Sequence, residues 1–428
     1  MDINTNGITM KIEVEAVSSV KKSIRIEVPQ ETVSHEFNHQ LGHLQKEAYL
    51  PGFRPGKAPI ALLLKKYQKN IEEEVLRKLI PEYCQKAIEQ SGIVPVVLPS
   101  IEKIDFNKDA PLFFTALVDT FPEINLASYT GLILPKKEIP VTDADIEKGL
   151  AILVDQNGYL EALPDDHLIA DSNYVIIDFI GESDGKILSG GKQKDYPVQM
   201  GSNKTRPEID AALLGKKKGE RVVVESVIPA DDPEKEIAGK IAHFTIDIKD
   251  IKAKRLPVLD DEFAKDLGLA NLTELRERVR ESIAIERSKI QEQSQKNHLM
   301  DQLIVLHPIE APQPMVAHEF QGLLRQNKMT VDSDPARVKE VVVAAENRVK
   351  GTLILTAIAE KEKIEALDSE IEEVIKQMAA RSAVPFEKAK ADVYKDPHVL
   401  ENLKDSVRGE KTLNWLYSQS QFEEMKEG

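Results

Sequence analysis

Pro51-Gly52-Phe53-Arg54-Pro55-Gly56-Lys57-Ala58-Pro59 places three prolines and two glycines within nine residues. That density argues against a helix or strand interior. Proline narrows the backbone and glycine permits angles other residues avoid, so the stretch predicts a shaped loop rather than a slack one. It displays one ring and two cations, Phe53, Arg54 and Lys57, with no acid among them. Apolar residues at helical spacing precede it (Val33, Phe37, Leu41, Leu44) and follow it (Ile60, Leu63, Leu64, Tyr67). A tip held between two helices can press a ring and two cations against a polyanionic or mixed surface. Composition alone leaves an ordinary turn with scattered charges as an equal alternative.

Outward from the loop, the bounds are those of a soluble multidomain protein. The 428 residues are 41% hydrophobic and 30% charged, which predicts two to four domains with real cores. No apolar run of about 18 residues occurs, so no transmembrane helix and no membrane partner are expected. The N-terminus lacks the basic, then apolar, then small-residue order of a signal peptide, which predicts a cytoplasmic chain. Cys84 is the only cysteine, excluding an internal disulfide and a thiolate zinc cluster. It falls on an apolar helical stripe (Val75, Leu79, Ile80, Tyr83, Ala87), where a buried inert thiol is expected. A net charge of −15 argues against DNA or general nucleic-acid binding. The charge is uneven, however: Lys46, Arg54, Lys57, Lys65, Lys66 and Lys69 face a single acid, Glu47, over that span.

The fold class predicted is multidomain α+β. Residues 8–28 alternate as two strands joined near Ser18-Ser19, Pro29 can open a helix, and helical segments run to about Ser91-Gly92. Another strand covers residues 112–121, giving an α+β domain over 1–120. Prolines then punctuate an extended connection with a helix (121–157), for which Thr142 is the expected N-cap with acids in its first turn. Short alternating runs broken by glycines follow: Tyr174 to Ile180, Tyr196 to Met200, Arg221 to Ile228 and Ile241 to Ile251. They predict a small antiparallel sheet with one short helix near Pro207 to Leu214, in a domain spanning 158–253. The remainder, 254–428, is helical: Asn271 with Glu274 reads as a cap with its box partner. Helices are expected from about Pro335 to Ile364, from Asp368, and through Trp415.

Gly-Phe-Arg-x-Gly-Lys-x-Pro between two helices near the N-terminus resembles the ribosome-docking signature of the trigger factor family. Gly52, Phe53, Arg54, Gly56, Lys57 and Pro59 carry the match, and Pro55 stands where some members have a third cation. Val141-Thr142-Asp143-Ala144-Asp145 and the stretch from Leu256 to Gly268 are similar to the same family. Asp178-Phe179-Ile180-Gly181, Gly190-Gly191, Tyr196, Gly219-Glu220 and Phe244 resemble its FKBP-type prolyl isomerase domain. The resemblance implies an elongated, ATP-independent chaperone with no cofactor. It docks on protein and RNA of the large ribosomal subunit at the exit tunnel and shields nascent unfolded polypeptides. A cradle of C-terminal helices and a homodimer off the ribosome are also implied. Phe179, Tyr196, Ile209 and Phe244 take the isomerase pocket positions, with Leu188 and Ile209 smaller than the usual aromatics. Arg206 and Glu208 stand where the pocket floor wants an apolar residue and a glycine, and Asp231-Asp232 replace a later aromatic. Unpaired charge in an apolar pocket is costly, so a rebuilt or opened floor is expected.

Two other functions stay in view. An FKBP-type isomerase as the main activity would work by favouring the twisted amide in a dry aromatic pocket. A zinc peptidase is suggested by His35-Glu36-Phe37-Asn38-His39, a literal H-E-x-x-H. Against it, Gln45 takes the position of a third ligand, and the histidines lie about 200° from the apolar stripe, facing water. The C-terminal part adds apolar surplus: Val341-Val342-Val343, Leu353, Ile354, Leu355 and residues 303–306. Most of it is expected in helix–helix core, the excess on a surface that meets unfolded chains.

Overall fold

Alternation of period two sets the first sheet. In the computed structural model, residues 2–5, 8–47, 53, 59–136, 140–183, 185–202, 205–228 and 239–424 are described. The chain forms two compact units, Met1–Lys137 with Glu292–Gly428, and Glu138–Gln291. In the first unit, β1 (Asp2–Thr5), β2 (Ile8–Ser18) and β3 (Lys21–Val28) lead into helix α1 (Gln30–Glu47) and the long α2 (Ile60–Ser91). β4 (Ser100–Asp105) and β5 (Leu112–Asp119) complete a five-stranded antiparallel sheet of order β1-β2-β3-β5-β4. Pro29 sits just before α1 and lends its carbonyl to the N–H groups of Thr32 and Val33, rather than being the first helical residue. Gly92 ends α2 in the left-handed region at φ 64°, a backbone state that suits glycine.

Both helices lay their apolar stripes on this sheet. Val33, Phe37 and Leu41 of α1 and Leu63, Ile71, Val75 and Leu79 of α2 are buried with Ile24, Ile26, Phe114 and Ala116. Cys84 lies in the same core, and burial pushes its thiol pKa up.

The rest of the first unit is mainly helical. It includes β6 (Ile133–Lys136) and, beyond the second unit, the later part of a long helix that begins there. His307, buried, donates from Nδ1 to the Leu303 carbonyl at 2.8 Å and accepts the Ala127 N–H on Nε2 at 3.1 Å. That ties the extended segment after β5 to the helices. Glu310 likewise accepts from the Ser19 hydroxyl at 2.7 Å, across 291 positions of sequence.

The second unit starts with α3 (Asp143–Gln156) and β7 (Tyr159–Ala162). Its sheet has the order β10-β11-β8-β9, built of β8 (Tyr174–Ser183), β9 (Lys186–Gln199), β10 (Arg221–Val227) and β11 (Ile241–Arg255). β7 pairs with the far end of β11, and α4 (Pro207–Leu213) packs near β10. Then come α5 (Asp261–Asp266) and α6 (Leu272–Leu306). Ile146 and Leu150 of α3 share a core with Phe263, Leu275 and Val279. Thr142 caps α3 as expected, in a reciprocal box with Asp145. At α6 the box is displaced by one residue: Asn271 accepts the Glu274 N–H, but Glu274 returns its bond to Ala270.

The closing helices are α7 (Gln313–Gln326), α8 (Pro335–Glu362), α9 (Asp368–Arg381), α10 (Phe386–Lys395) and α11 (Pro397–Ser418), before β12 (Gln421–Glu424). Sequence reading merges α10 with its neighbours and omits β1, β4, β6, β7 and β12. These strands are short or irregular, and their partners alone define them.

Candidate functional site

Two places in the chain gather the residues singled out above, one in each unit. The first is the tip between α1 and α2. Phe53 is described and exposed, at 38% of its full surface, whereas Gly52, Arg54, Gly56 and Lys57 lie outside the described residues. The flank of α2 that follows is informative. Lys65, Lys66 and Lys69 are exposed, and none has a carboxylate partner among the described residues. The Lys66 ammonium instead stands 5.0 Å from the Tyr67 ring centre. Ile60 and Leu62, on the first turn of α2, are 49% and 42% exposed. Sequence periodicity placed Ile60 on the buried stripe; the structure exposes it, because the first turn runs past the end of the sheet-facing core that begins at Leu63.

One helical face away, the H-E-x-x-H residues separate. His35 and His39 are exposed, but Glu36 is 6% exposed and turned inward. Its carboxylate accepts from Lys78 Nζ at 2.7 Å and from Gln40 at 2.6 Å. Burial pushes this carboxyl up, yet the Lys78 and Gln40 bonds and the Lys78 charge outweigh it and hold the pKa below its ordinary value. The glutamate is thus a buried clamp between α1 and α2. Among the described residues no group of three or more His, Cys, Asp or Glu is placed to hold a metal ion.

The second place is the inner face of the β8–β11 sheet. Phe179 on β8 meets Tyr196 on β9 edge to face, with centroids 5.5 Å apart at 81°. Phe244 on β11 lies 6.5 Å from Phe179 at 53°. Ile209 on α4 and Leu188 pack against the same core. Two local features assemble these rings. A Cβ on Gly181 would come within 2.6 Å of the Phe244 ring, so glycine there is what lets the ring lie across β8. In addition, the β8–β9 register jumps between Ile177 and Phe179. Asp195 lies in the left-handed region at φ 52°, and its N–H donates to Asp178 at 2.7 Å. The bulge carries Tyr196 opposite Ile177, diagonal to Phe179.

Arg206 and Glu208 do not form an open floor. The Arg206 guanidinium sits 5.5 Å from the Phe244 ring centre. It donates to the Ser226 hydroxyl at 3.1 Å and the Val227 carbonyl at 3.3 Å. Ser226, itself buried, passes its hydrogen to Glu208 at 3.4 Å. Acid and base are therefore linked through one serine, and the cation rests on the ring face. That satisfies both charges without an apolar replacement. Asp231 and Asp232 lie outside the described residues. The cluster holds rings, an aliphatic wall and a capping cation. An apolar peptide segment can be held there and its amide environment changed.

The C-terminal helices retain apolar surface after packing. Val305 is 79% exposed, and Leu306, Val342 and Val343 are also exposed. Leu303, Leu353 and Ile354 are buried. No helix among the described residues is long and apolar enough to cross a membrane.

Comparison with known proteins identifies the family. The family model described as bacterial trigger factor protein matches residues 10–153, and the model of that protein's C-terminus matches residues 271–418. The chain is 32% identical over 420 residues to the trigger factor of Geobacter metallireducens, covering 95% of this chain and 97% of the relative. To that of Carboxydothermus hydrogenoformans it is 33% identical over 400 residues, covering 89% and 93%. A solved structure from work on promiscuous substrate recognition by the trigger factor chaperone shares the fold. Its TM-score is 0.55 at 18% identity, and the match covers 95% of this chain and 99% of that one. With both ends matched and relatives aligned along nearly their whole length, the chain belongs to the trigger factor family of ribosome-associated chaperones.

Proposed function

We propose that this chain docks on the large ribosomal subunit beside the exit tunnel through Gly52, Phe53, Arg54, Gly56 and Lys57. There it shields emerging polypeptide without ATP. The observation that carries the reading is the exposed Phe53 ring, followed along α2 by Lys65, Lys66 and Lys69, none of which has a carboxylate partner among the described residues. Cations of this kind are attracted to RNA phosphates, and the ring adds an apolar anchor. The remaining chain is acidic and is repelled by RNA, so contact is confined to the tip. Exposed Val305, Leu306, Val342 and Val343 support weak, dispersed contact with unfolded chains. A cytoplasmic location and a homodimer off the ribosome complete this reading.

Sedimentation of the full chain with ribosomes tests it. Replacing Phe53, Arg54 and Lys57 together by alanine should weaken co-sedimentation at least tenfold while leaving the melting temperature within a degree or two, since Phe53 is exposed and the described core of this unit is built from α1, α2 and the sheet. Unchanged co-sedimentation overturns the docking reading.

A second activity, prolyl isomerisation, is favoured by one observation: Phe179, Tyr196 and Phe244 converge with Ile209 on one sheet face. Rotation about an X-Pro bond faces a barrier of about 20 kcal/mol from amide resonance. A ring-lined pocket lowers it by excluding water, which stabilises the planar, polar amide more than the twisted one.

A further inference from the structure

β10 is an outer strand, with β11 on its one side in the order β10-β11-β8-β9. Bonds at its two ends set the phase of the ladder. Ile228 N–H reaches the Lys240 carbonyl at 2.9 Å, and Ile248 N–H reaches the Glu220 carbonyl at 3.0 Å. In an antiparallel pair alternate residues share the bonds, so Val222, Val224 and Ser226 turn theirs toward β11. Arg221, Val223, Glu225 and Val227 therefore turn N–H and C=O away from the sheet. The Val227 carbonyl is met by Arg206. Those of Val223 and Glu225 have no partner among the described residues.

Natural sheets blunt such an edge with lysine, proline or a bulge. β10 reads Arg-Val-Val-Val-Glu-Ser-Val, and its register with β11 is unbroken. The outward face is apolar at alternate positions: Val223 is 65% exposed, Val227 64%, and Ile241, opposite Val227, 52%. Arg221 is neutralised by Asp247 through two bonds of 2.6 and 2.9 Å. Glu225, between the two valines, faces an imidazole, His243 at 3.5 Å, and among the described residues no lysine or arginine. The edge thus presents apolar, acid, apolar at every second residue. Phe179 and Phe244 lie on the opposite face of the sheet, with Ile177 and Ile246.

We propose that β10 takes an extended polypeptide as an added strand, with a lysine or arginine opposite Glu225 and apolar residues two positions to either side. The backbone supplies donors and acceptors at Val223 and Glu225, and cross-strand pairing supplies the preference. Arg206 on the Val227 carbonyl marks the end of the added ladder. The inference rests on the reading that this chain meets unfolded polypeptide, but it uses neither the tip nor the aromatic cluster.

The test is anisotropy of a labelled, capped eight-residue peptide of the pattern Val-Thr-Lys-Thr-Val titrated with the full chain. The comparison probe is its twin N-methylated at alternate residues. Val223→Pro removes an outward N–H that no ladder bond uses, so the sheet keeps its pairing. It should weaken binding at least tenfold. The N-methylated twin should fail to compete, and a glutamate in place of the central lysine should lose at least tenfold. If Val223→Pro does not fold, Val223→Lys, which repels the same cation, decides by the same loss. Undiminished binding by the folded variants, equal competition by the N-methylated twin, or displacement of the probe by a short prolyl peptide overturns the proposal. Ribosome co-sedimentation of these variants should match the parent, which separates failure here from failure of docking.

Discussion

Arg206 occupies a position where the resemblance implies an apolar side chain, and its surroundings explain how a charge is tolerated there. The guanidinium lies over Phe244, and its donors find Ser226 and the Val227 carbonyl. A cation over a ring contributes about 0.5–2 kcal/mol depending on desolvation, and Ser226 links the cation to Glu208. The sequence identifies the substitution; only the three-dimensional contacts show that it closes over the ring instead of opening the floor. Isomerase activity is best tested at Tyr196, which is 38% exposed and so can be truncated cheaply. Its edge-to-face contact with Phe179 is worth about 0.5–1.5 kcal/mol. Tyr196→Ala is expected to lower turnover of a prolyl peptide at least tenfold in a protease-coupled assay, with a melting point a few degrees lower. Background turnover in the parent would remove the isomerase reading altogether.

At the scale of elements, caps and periodicity were the legible features. Thr142 and Asp145 announce α3 because both signals lie within four residues, and the structure forms the reciprocal box. Thr142 bonds first, with Arg287 2.8 Å away, hold the Asp145 pKa down at about 2. The unfolded value is near 3.9. A depressed carboxylate stabilises the fold above its unfolded pKa, and that contribution disappears as pH falls toward the folded value. The urea midpoint of the parent should therefore exceed that of Asp145→Asn at pH 7, and the gap should close between about pH 4 and pH 2. Thr142→Ala should cost about 1 kcal/mol at neutral pH. A gap that persists at pH 2 would mean that the carboxylate charge is not what the cap uses.

Across the whole molecule, the first unit is held by contacts between segments far apart in sequence. β12 runs parallel to β6, with Gln421 beside Ile133 and Glu424 beside Lys136. Tyr417 meets Phe422 edge to face, with centroids 5.3 Å apart, and gives its hydroxyl hydrogen to Gln295 at 2.7 Å. Buried Leu134 sits among Leu299, Leu303, Ile358 and Leu416. Truncation after Ser420 removes the ladder partner of β6, and the exposed edge should then be cut by protease near residues 133–136 while the N-terminal sheet stays protected. Hydrogen exchange across those residues checks it; unchanged protection would show that the helices alone hold β6. A loss of about 1–3 kcal/mol is expected, the range for a few backbone bonds left without partners.

By itself, the sequence determined what local chemistry decides. The alternation of β2 and β3, the helical stripes of α1 and α2 and the Thr142 cap are all signals between residues a few positions apart. Such signals survive whatever the distant chain does. Tertiary structure alone decided which way Glu36 points, that Arg206 rests on Phe244, that β6 finds β12, and that β10 has no second strand partner among the described residues. Each of these depends on closing long loops and satisfying buried polar groups together, an outcome set by the packed whole rather than by any short stretch.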